Sequence, residues 1–258
     1  MSLIIALANQ KGGVAKTTSA VNLAYALAQR GKRVLAVDMD PQASLTIYFG
    51  QHPFALEEHH KTIYWGLRPD GRELASLIIP GLVDLIPASL QLEEAEKEFL
   101  LELNSGYVLK QHLDPLRDRY DFVVIDCRPT LTLLTLNPLV AADTVLIPVK
   151  TDLLSIMGIP LLVKRIEEIR RRPNPRLDIV GVLPTMYNPR NTHDREAVEA
   201  LRAAVPAGTH FFEPINRSTW FDKSAAEGVA TLAFNPDAPG VQNYYHVADY
   251  VITYATTT

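Results

Sequence analysis

The sequence predicts an α/β protein with a doubly wound, mostly parallel sheet and helices on both faces. Short apolar runs alternate along the chain with longer segments of helical periodicity, which is typical of successive β-α-β units. Two of the runs, 121–126 and 143–149, read as continuous apolar strands, as expected when helices cover both faces of a sheet. The strands are expected at 3–8, 33–38, 82–86, 121–126, 143–149 and 178–184.

The helices follow from the spacing of apolar residues. In the first of them, apolar residues recur at helical intervals between Ala20 and Leu27, and Gly31 ends the helix. The irregular segment 50–80 is expected to cross the surface, and no linker divides the chain, so 1–258 is expected to be a single domain. Helices are expected at 17–30, 89–103, 107–118, 131–140, 154–171, 192–204, 219–226 and 240–254.

Composition excludes several classes of protein. Hydrophobic residues make up 47% of the chain and charged residues 21%, which is ordinary for a globular protein. The net charge of −4 means that any DNA contact must come from a local basic patch. The single cysteine, Cys127, excludes an internal disulfide and favours a reducing, cytoplasmic location. No uncharged run of 18 apolar residues occurs, so no membrane-spanning segment is expected.

A glycine-bearing loop lies between the first strand and the first helix. Residues 10–18 read Gln-Lys-Gly-Gly-Val-Ala-Lys-Thr-Thr. Backbone N–H groups of such a loop, together with the helix N-terminus, bind phosphates. Lys16 is expected to reach the β- and γ-phosphates, and Thr17 to place its hydroxyl on Mg²⁺. Lys11 is a second cation that the cradle itself does not need; the alternative is an exposed loop charge.

This loop departs from the strict pattern G-x-x-x-x-G-K-[ST]. Gln10 stands at the position of the first glycine of the pattern and Ala15 at that of the second. Alanine fits there only if its φ stays negative and its methyl group clears the phosphates.

Three aspartates end apolar strands. Asp38 and Asp40 are two residues apart, so both side chains point to the same side of an extended segment. Asp38 and Asp126 are expected to serve the magnesium shell, and Asp40 to orient the attacking water. For Asp38 and Asp40 the alternative is a solvated strand end where Pro41 begins a turn.

These motifs together resemble the deviant Walker A ATPases of the ParA/MinD superfamily, and the resemblance covers nearly the whole chain. The loop is similar to K-G-G-x-x-K-[ST], residues 37–46 to the switch segment V-D-x-D-P-Q-x-x-x-T, and 120–130 with 133–137 to the Walker B stretch. Residues 215–218 resemble the turn I-P-R-[NS], with Asn216 in place of proline. In the Walker B stretch Arg128 replaces the usual proline.

The resemblance implies ATP and Mg²⁺ as cofactors and a homodimer closed around two ATP molecules. It implies that Lys11 crosses to the phosphates of the partner, and it leaves open whether Lys150 has that role or forms an ion pair with Asp152. A carboxysome-positioning branch, McdA, is similar in having alanine before the Walker lysine. The implied nucleotide contacts are Lys11, Gly12, Gly13, Val14, Ala15, Lys16, Thr17, Thr18 and Lys150, with Met186, Asn188 and Asn216 near the base.

The function expected from this resemblance is an ATPase that binds nucleoid DNA without sequence preference and positions a plasmid, chromosome or carboxysome through an adaptor protein. Arg190, Arg217 and Lys223 are the expected DNA contacts, against the alternative of solvated, ion-paired helix faces. No membrane partner is expected, because the tail 242–258 contains no Lys or Arg. The alternatives are a membrane-cycling regulator like MinD and a metabolic, ATP-dependent ligase.

Overall fold

The computed structural model describes residues 2–68, 70–99, 104–130 and 132–257. Within these ranges six strands form one sheet, in the order β3-β2-β4-β1-β5-β6. All five pairings between these strands are parallel. The predicted fold class is therefore confirmed. The strands are β1 (Leu3–Leu7), β2 (Val34–Met39), β3 (Asp84–Ile86), β4 (Phe122–Cys127), β5 (Thr144–Lys150) and β6 (Asp178–Thr185).

Helices connect the strands and cover both faces of the sheet. Alternate residues of β1 enter different cores: Ile4 packs with helices α6, α7 and α9, whereas Ile5 packs with α1 and α13. The α-helices are α1 (Lys16–Gln29), α2 (Ser44–Tyr48), α3 (Pro53–Glu58), α4 (Tyr64–Leu67), α5 (Leu92–Phe99), α6 (Val108–Leu113), α7 (Leu133–Ala141), α8 (Leu153–Met157), α9 (Ile159–Arg171), α10 (Thr192–Ala204), α11 (Trp220–Ala226), α12 (Thr231–Phe234) and α13 (Asn243–Thr257).

Three expectations about helices differ from the structure. The helix expected at 107–118 ends as α6 at Leu113, where the 3-10 helix Asp114–Leu116 follows with Pro115 in its first turn. The helix expected at 154–171 is two helices, α8 and α9, because Pro160 occupies the first turn of α9 and lacks the N–H that a continuous helix needs. The irregular segment 50–80 contains α3 and α4. The helix expected at 89–103 is described only as far as residue 99.

The C-terminal helix belongs to the core. Its apolar face, with Tyr244, Val247 and Val251, is buried against the layer formed by α1. Within the described ranges, no helix combines the length and the apolar character needed to cross a bilayer.

The carboxyl ends of the strands define one edge of the sheet. β1 lies at its centre, with β4, β2 and β3 on one side and β5 and β6 on the other. Ligands of open α/β sheets bind at this edge, where the strand order changes direction. The loop after β1 and the ends of β2 and β4 therefore converge where the sequence places its phosphate and metal ligands.

Candidate nucleotide site

The loop after β1 is fixed by hydrogen bonds from neighbouring strands. The buried Asn9 donates its Nδ2–H to the carbonyl of Pro148 at 2.8 Å and accepts the N–H of Lys11 at 3.0 Å. The Thr185 hydroxyl at the end of β6 donates to the carbonyl of Val14 at 3.0 Å. Sequence reasoning missed Asn9 and Thr185, because hydrogen bonds to a distant backbone leave no local motif.

The loop turns into α1 through left-handed backbone. Gly13 has φ of +69° and Ala15 has φ of +60°. The condition set for alanine at this position, a negative φ, is therefore not met. Ala15 is the residue just before α1, and its carbonyl accepts the N–H of Ser19 at 2.9 Å, so the strand-to-helix turn forces this conformation.

Lys16 and Thr17 turn inward at the start of α1. The side chain of Lys16 is buried, and its Nζ donates to the carbonyl of Lys11 at 3.1 Å. Burial lowers the pKa of Lys16, although the nearby charge of Asp126 opposes this shift. The Thr17 hydroxyl donates to Asp126 Oδ2 at 2.6 Å. One short segment therefore presents a cation and a hydroxyl to the same place.

Asp38 and Asp126 are direct register partners on β2 and β4, and both are buried. Asp38 accepts the N–H and the hydroxyl of Thr46 at 2.8 and 2.7 Å, and the N–H of Asp40 at 3.1 Å. Burial raises the pKa of Asp38 to about 7, despite these donors. Burial and the neighbouring charge of Asp38 raise the pKa of Asp126 to about 8. A cation at this position would favour the ionised form of both groups.

The chemistry of these groups fits Mg²⁺. Asp126 Oδ1 is buried, and no group in the described ranges forms a hydrogen bond with it. This oxygen and the Thr17 hydroxyl are hard ligands, and Mg²⁺ in nucleotide sites is typically held by one or two carboxylates together with waters and phosphates. In the part of the chain that is described, no cluster of three or more His, Cys, Asp or Glu side chains forms a complete metal cage. A magnesium ion here would therefore need the phosphates as further ligands.

A cavity of about 480 Å³ opens over the loop. Asp40 stands at its wall, where the Asp40 carboxylate accepts the N–H of Gln42 at 3.0 Å. Lys11 does not line this cavity. The residues of the loop and of the switch segment that do line it are Gly12, Gly13, Ala15, Lys16, Thr17, Thr18, Asp40, Gln42 and Ser44.

A second cavity, of about 370 Å³, continues from the first and shares Ala15, Thr18 and Met186 with it. Its walls include Asn216 and the apolar side chain of Phe221. The size and mixed lining suit a purine base attached to phosphates in the first cavity. We call these two spaces the phosphate cavity and the base cavity.

Asn188 lies outside the base cavity. Its side-chain oxygen accepts the N–H of Arg190 at 3.1 Å, and its own N–H donates to Asp194 at 2.8 Å. The structure therefore brings Met186 and Asn216 to the base cavity and places Asn188 in the adjoining turn.

One carboxylate holds both of the unusual lysines. Lys11 Nζ lies 3.0 Å from Asp152 Oδ1, and Lys150 Nζ lies 3.1 Å from Asp152 Oδ2. Partial burial alone would raise the pKa of Asp152, but hydrogen bonds from Lys11, the Ser155 N–H and Lys150 lower it well below its usual range. The lysines keep 38% and 45% of their side-chain surface exposed, so this cluster lies at the rim of the site.

Arg128 points away from the phosphates. Its guanidinium lies 2.9 Å from Glu96 on α5, and both side chains are largely covered. Its neighbour Pro129 lines the phosphate cavity, whereas Arg128 does not. Arg128 thus ties the end of β4 to α5.

Of the three predicted DNA contacts, Arg217 lines the base cavity, whereas Arg190 and Lys223 do not. Arg190, Arg217 and Lys223 are exposed. The N–H of Arg217 donates to the carbonyl of Tyr187 at 2.9 Å, which brings the segments carrying Arg190 and Arg217 together. Lys223 Nζ lies 4.3 Å from the centre of the Trp220 ring.

Two arginines of α9, Arg165 and Arg170, have acidic partners on the protein. Arg165 lies 2.8 Å from Glu168, and Arg170 lies 3.7 Å from Asp178. Arg165 and Arg170 are therefore less available to an external anion than the exposed Arg190 and Arg217.

Comparisons with known proteins agree with this geometry. Residues 2–179 match the family described as an AAA domain. The chromosome partitioning protein ParA of Caulobacter vibrioides is 34% identical over 256 residues, which cover 97% of this chain and 94% of the relative.

Two solved structures show the same fold. Cobyrinic acid a,c-diamide synthase from Mycobacterium smegmatis, with bound ADP and magnesium, superposes with a TM-score of 0.84 at 33% identity, covering 100% of this chain and 96% of that one. An ATP complex of McdA from Cyanothece superposes with a TM-score of 0.85 at 23% identity, covering 97% and 96%. The motifs, the sheet order and these similarities lead to one conclusion: the chain belongs to the ParA/MinD superfamily of deviant Walker A P-loop proteins.

Proposed function

We propose that this chain is one ParA-like ATPase domain that binds Mg²⁺-ATP, dimerises on ATP and hydrolyses it to ADP and phosphate. The observation that carries the proposal is the placement of Lys11. It belongs to the phosphate loop and directly precedes the glycine pair, yet its amine lies at the rim on Asp152 and not in the phosphate cavity of its own chain. A lysine so placed is available to the phosphates of a second copy, where it would stabilise developing charge as an arginine finger does.

The chemistry is assigned to residues around the phosphate cavity. Lys16 would bind the β- and γ-phosphates, with the N–H groups of the loop. Thr17 and Asp126 would hold Mg²⁺, and Asp38 would hold its water shell; the ion neutralises charge on the phosphates. Asp40 would accept a hydrogen bond from the attacking water and orient it toward the γ-phosphorus.

Phosphate release from Mg²⁺-ATP tests this proposal. Lys16→Ala should abolish nucleotide binding, whereas Asp40→Ala should bind ATP but lose hydrolysis by about 100-fold or more, the range for general-base contributions. Arg165→Ala, on an ion pair remote from both cavities, is the control. Normal turnover by Asp40→Ala would disprove the role given to Asp40.

We further propose that the ATP-bound dimer binds DNA without sequence preference through Arg190, Arg217 and Lys223, and positions a plasmid or chromosome through an adaptor protein that stimulates hydrolysis. The exposure of Arg190 and Arg217 supports the DNA contact, and the name of the Caulobacter vibrioides relative supports the partition role.

An ATP-dependent amide synthase is the second candidate, favoured by the 33% identity to the Mycobacterium smegmatis structure. Enzymes that draw ammonia from glutamine with a cysteine need an accessible thiolate. The one cysteine in this sequence, Cys127, is buried, and burial raises the pKa of its thiol well above the usual value. Cys127 is therefore unsuited to that step. An assay for amide formation with ammonia or glutamine would separate the two candidates.

A further inference from the structure

A buried hydroxyl cluster connects the helix after Asp40 to the wall of the base cavity. The cluster consists of Tyr48 on α2, Ser224 on α11 and Thr231 on α12. The Tyr48 oxygen lies 3.0 Å from Ser224 Oγ, 3.1 Å from Thr231 Oγ1 and 3.0 Å from the carbonyl of Phe221. The two smaller hydroxyls are 2.6 Å apart. All three side chains are buried, so each bond is costly to leave unmade.

The hydroxyl cluster also reaches α1. Asn22 Nδ2 donates to the carbonyl of Thr18 at 2.8 Å and lies 3.4 Å from Thr231 Oγ1. Asn22 Oδ1 accepts the N–H of Leu232 at 3.0 Å. Thr18 lines both cavities. The polar network therefore has one end at the nucleotide site and continues into the layer of α11 and α12.

Backbone contact strengthens the same junction. The turns after α2 and α11 cross at Gly50 and Gly228, both in the left-handed region. A Cβ on Gly228 would lie 2.6 Å from the Gly50 Cα, so no side chain separates the two turns. α2 cannot shift relative to α11 without losing this contact and the hydroxyl cluster together.

Both of the joined helices contact the nucleotide site. α11 contributes Phe221 and Asp222 to the base cavity. α2 contributes Ser44, Ile47 and Tyr48 to the phosphate cavity, which Ala225 of α11 also lines. Thr46 of α2 holds Asp38. A displacement of α11 would therefore act, through the hydroxyl cluster and the Gly50–Gly228 contact, on the helix whose Thr46 holds Asp38.

We propose that Tyr48 is a positioning residue that couples occupancy of the base cavity by a purine nucleotide to the order of α2 and hence to the placement of Asp38 and Asp40. The inference rests on the proposed function for its chemistry, because it assigns the base a part in arranging the phosphate cavity. Tyr48 also lines the phosphate cavity, and the role proposed here is that of its hydroxyl, which is bound within the hydroxyl cluster and to the carbonyl of Phe221.

Hydrogen exchange measures the coupling directly. The amides of α2 are compared in Mg²⁺-ADP and in Mg²⁺-pyrophosphate, which lacks the base. In the wild type, ADP should slow their exchange about fivefold more than pyrophosphate, the ratio expected for one net hydrogen bond. Tyr48→Phe should remove this difference, whereas amides of 215–226 at the base cavity stay protected by ADP.

Two further variants make the result specific. Thr231→Val removes a hydroxyl of the cluster that lines neither cavity, and it should reproduce the effect of Tyr48→Phe. Tyr25→Phe, at a partly exposed position on α1, should leave the difference intact.

Equal protection by ADP and pyrophosphate in the wild type would overturn the inference. The inference would also be overturned if Tyr48→Phe and Thr231→Val lowered the melting temperature but kept the difference between ADP and pyrophosphate in the exchange of the α2 amides. That result would show that the hydroxyl cluster has a purely structural role. Phosphate release is measured in parallel: the predicted exchange pattern without turnover would reject the ATPase proposal and leave the coupling in place.

Discussion

Left-handed backbone occurs at three non-glycine residues in or next to the walls of the nucleotide cavities. They are Ala15, Ala43 and Met186, with φ of 60°, 53° and 54°. A residue with a Cβ is strained in this region, and such strain concentrates at functional sites. Ala15 precedes α1 and Ala43 precedes α2, so both helices that carry site residues begin after a strained residue. The surrounding hydrogen bonds, among them Thr185 to Val14, keep the loop in this conformation.

Replacing Ala15 by glycine should therefore stabilise the ligand-free protein. Left-handed backbone costs alanine roughly 1–2 kcal/mol, and the greater freedom of glycine in the unfolded chain offsets part of the gain. We expect the free energy of unfolding in urea to rise by up to about 1 kcal/mol. The matched control is Ala200→Gly in the exposed part of α10, which should lose about 1 kcal/mol. If both variants lost the same free energy of unfolding, the backbone of Ala15 would not be strained.

The buried aspartates predict a pH dependence of stability. In the folded protein the pKa values of Asp38 and Asp126, about 7 and about 8, lie above the ordinary value of an aspartate in the unfolded chain. At pH values between the ordinary pKa and these raised values, the folded protein therefore binds more protons than the unfolded chain does. The free energy of unfolding should consequently fall as pH rises toward the raised pKa values, by up to about 1.4 kcal/mol per pH unit for each aspartate.

Thermal unfolding between about pH 7 and 8 measures this slope, because histidines are then mostly neutral in both states. Asp126→Asn should make the slope shallower. A ligand-free protein whose melting temperature rises with pH over this interval would contradict the assignment. Because bound Mg²⁺-nucleotide requires ionised carboxylates, its binding at pH 7 should release protons.

At the scale of elements, contiguous motifs are predictable and long-range contacts are not. The phosphate loop and the strand-end aspartates are visible in sequence because each lies within a few residues and follows an apolar run. The pairing of Lys11 with Asp152 spans 141 positions, so no local pattern predicts it. The break at Pro160 was visible as a proline, yet the apolar periodicity on both sides predicted one helix.

The contact between the loop and α8 yields a prediction for Asp152→Asn. Asparagine retains the N-cap of α8, where the side chain accepts the Ser155 N–H, but removes the charge that holds both lysines. Because these ion pairs are partly exposed, folding should lose less than about 1 kcal/mol. Lys11 no longer has to leave a carboxylate, so ATP should produce dimers at lower protein concentration, measured by sedimentation.

Asp152→Ala is the comparison variant, because it removes the cap as well and should cost about 1 kcal/mol more. Weaker dimerisation of Asp152→Asn than of the wild type would show that Asp152 assists the interface and does not compete with it.

For the whole molecule, the net charge of −4 makes any DNA binding a local property. Arg190→Ala should weaken binding of the ATP-bound protein to random-sequence DNA and reduce the slope of log affinity against log salt by about 1. Arg165→Ala, whose arginine is paired with Glu168, is the matched control and should leave both unchanged. Equal effects of the two variants would show that the surface near residue 190 is not the DNA site.

We propose that ATP joins two copies of the chain, with Lys11 of each copy on the phosphates bound by the other. Light scattering of Asp40→Ala with ATP, with ADP and without nucleotide tests it most directly. We expect a mass of 28.7 kDa without nucleotide and with ADP, and twice that mass only with ATP. Adding Lys11→Ala should abolish the doubling while ATP still binds. The same mass in all three states would show that ATP does not join two copies. A dimer that persists in Lys11→Ala would show that Lys11 is not needed to join them.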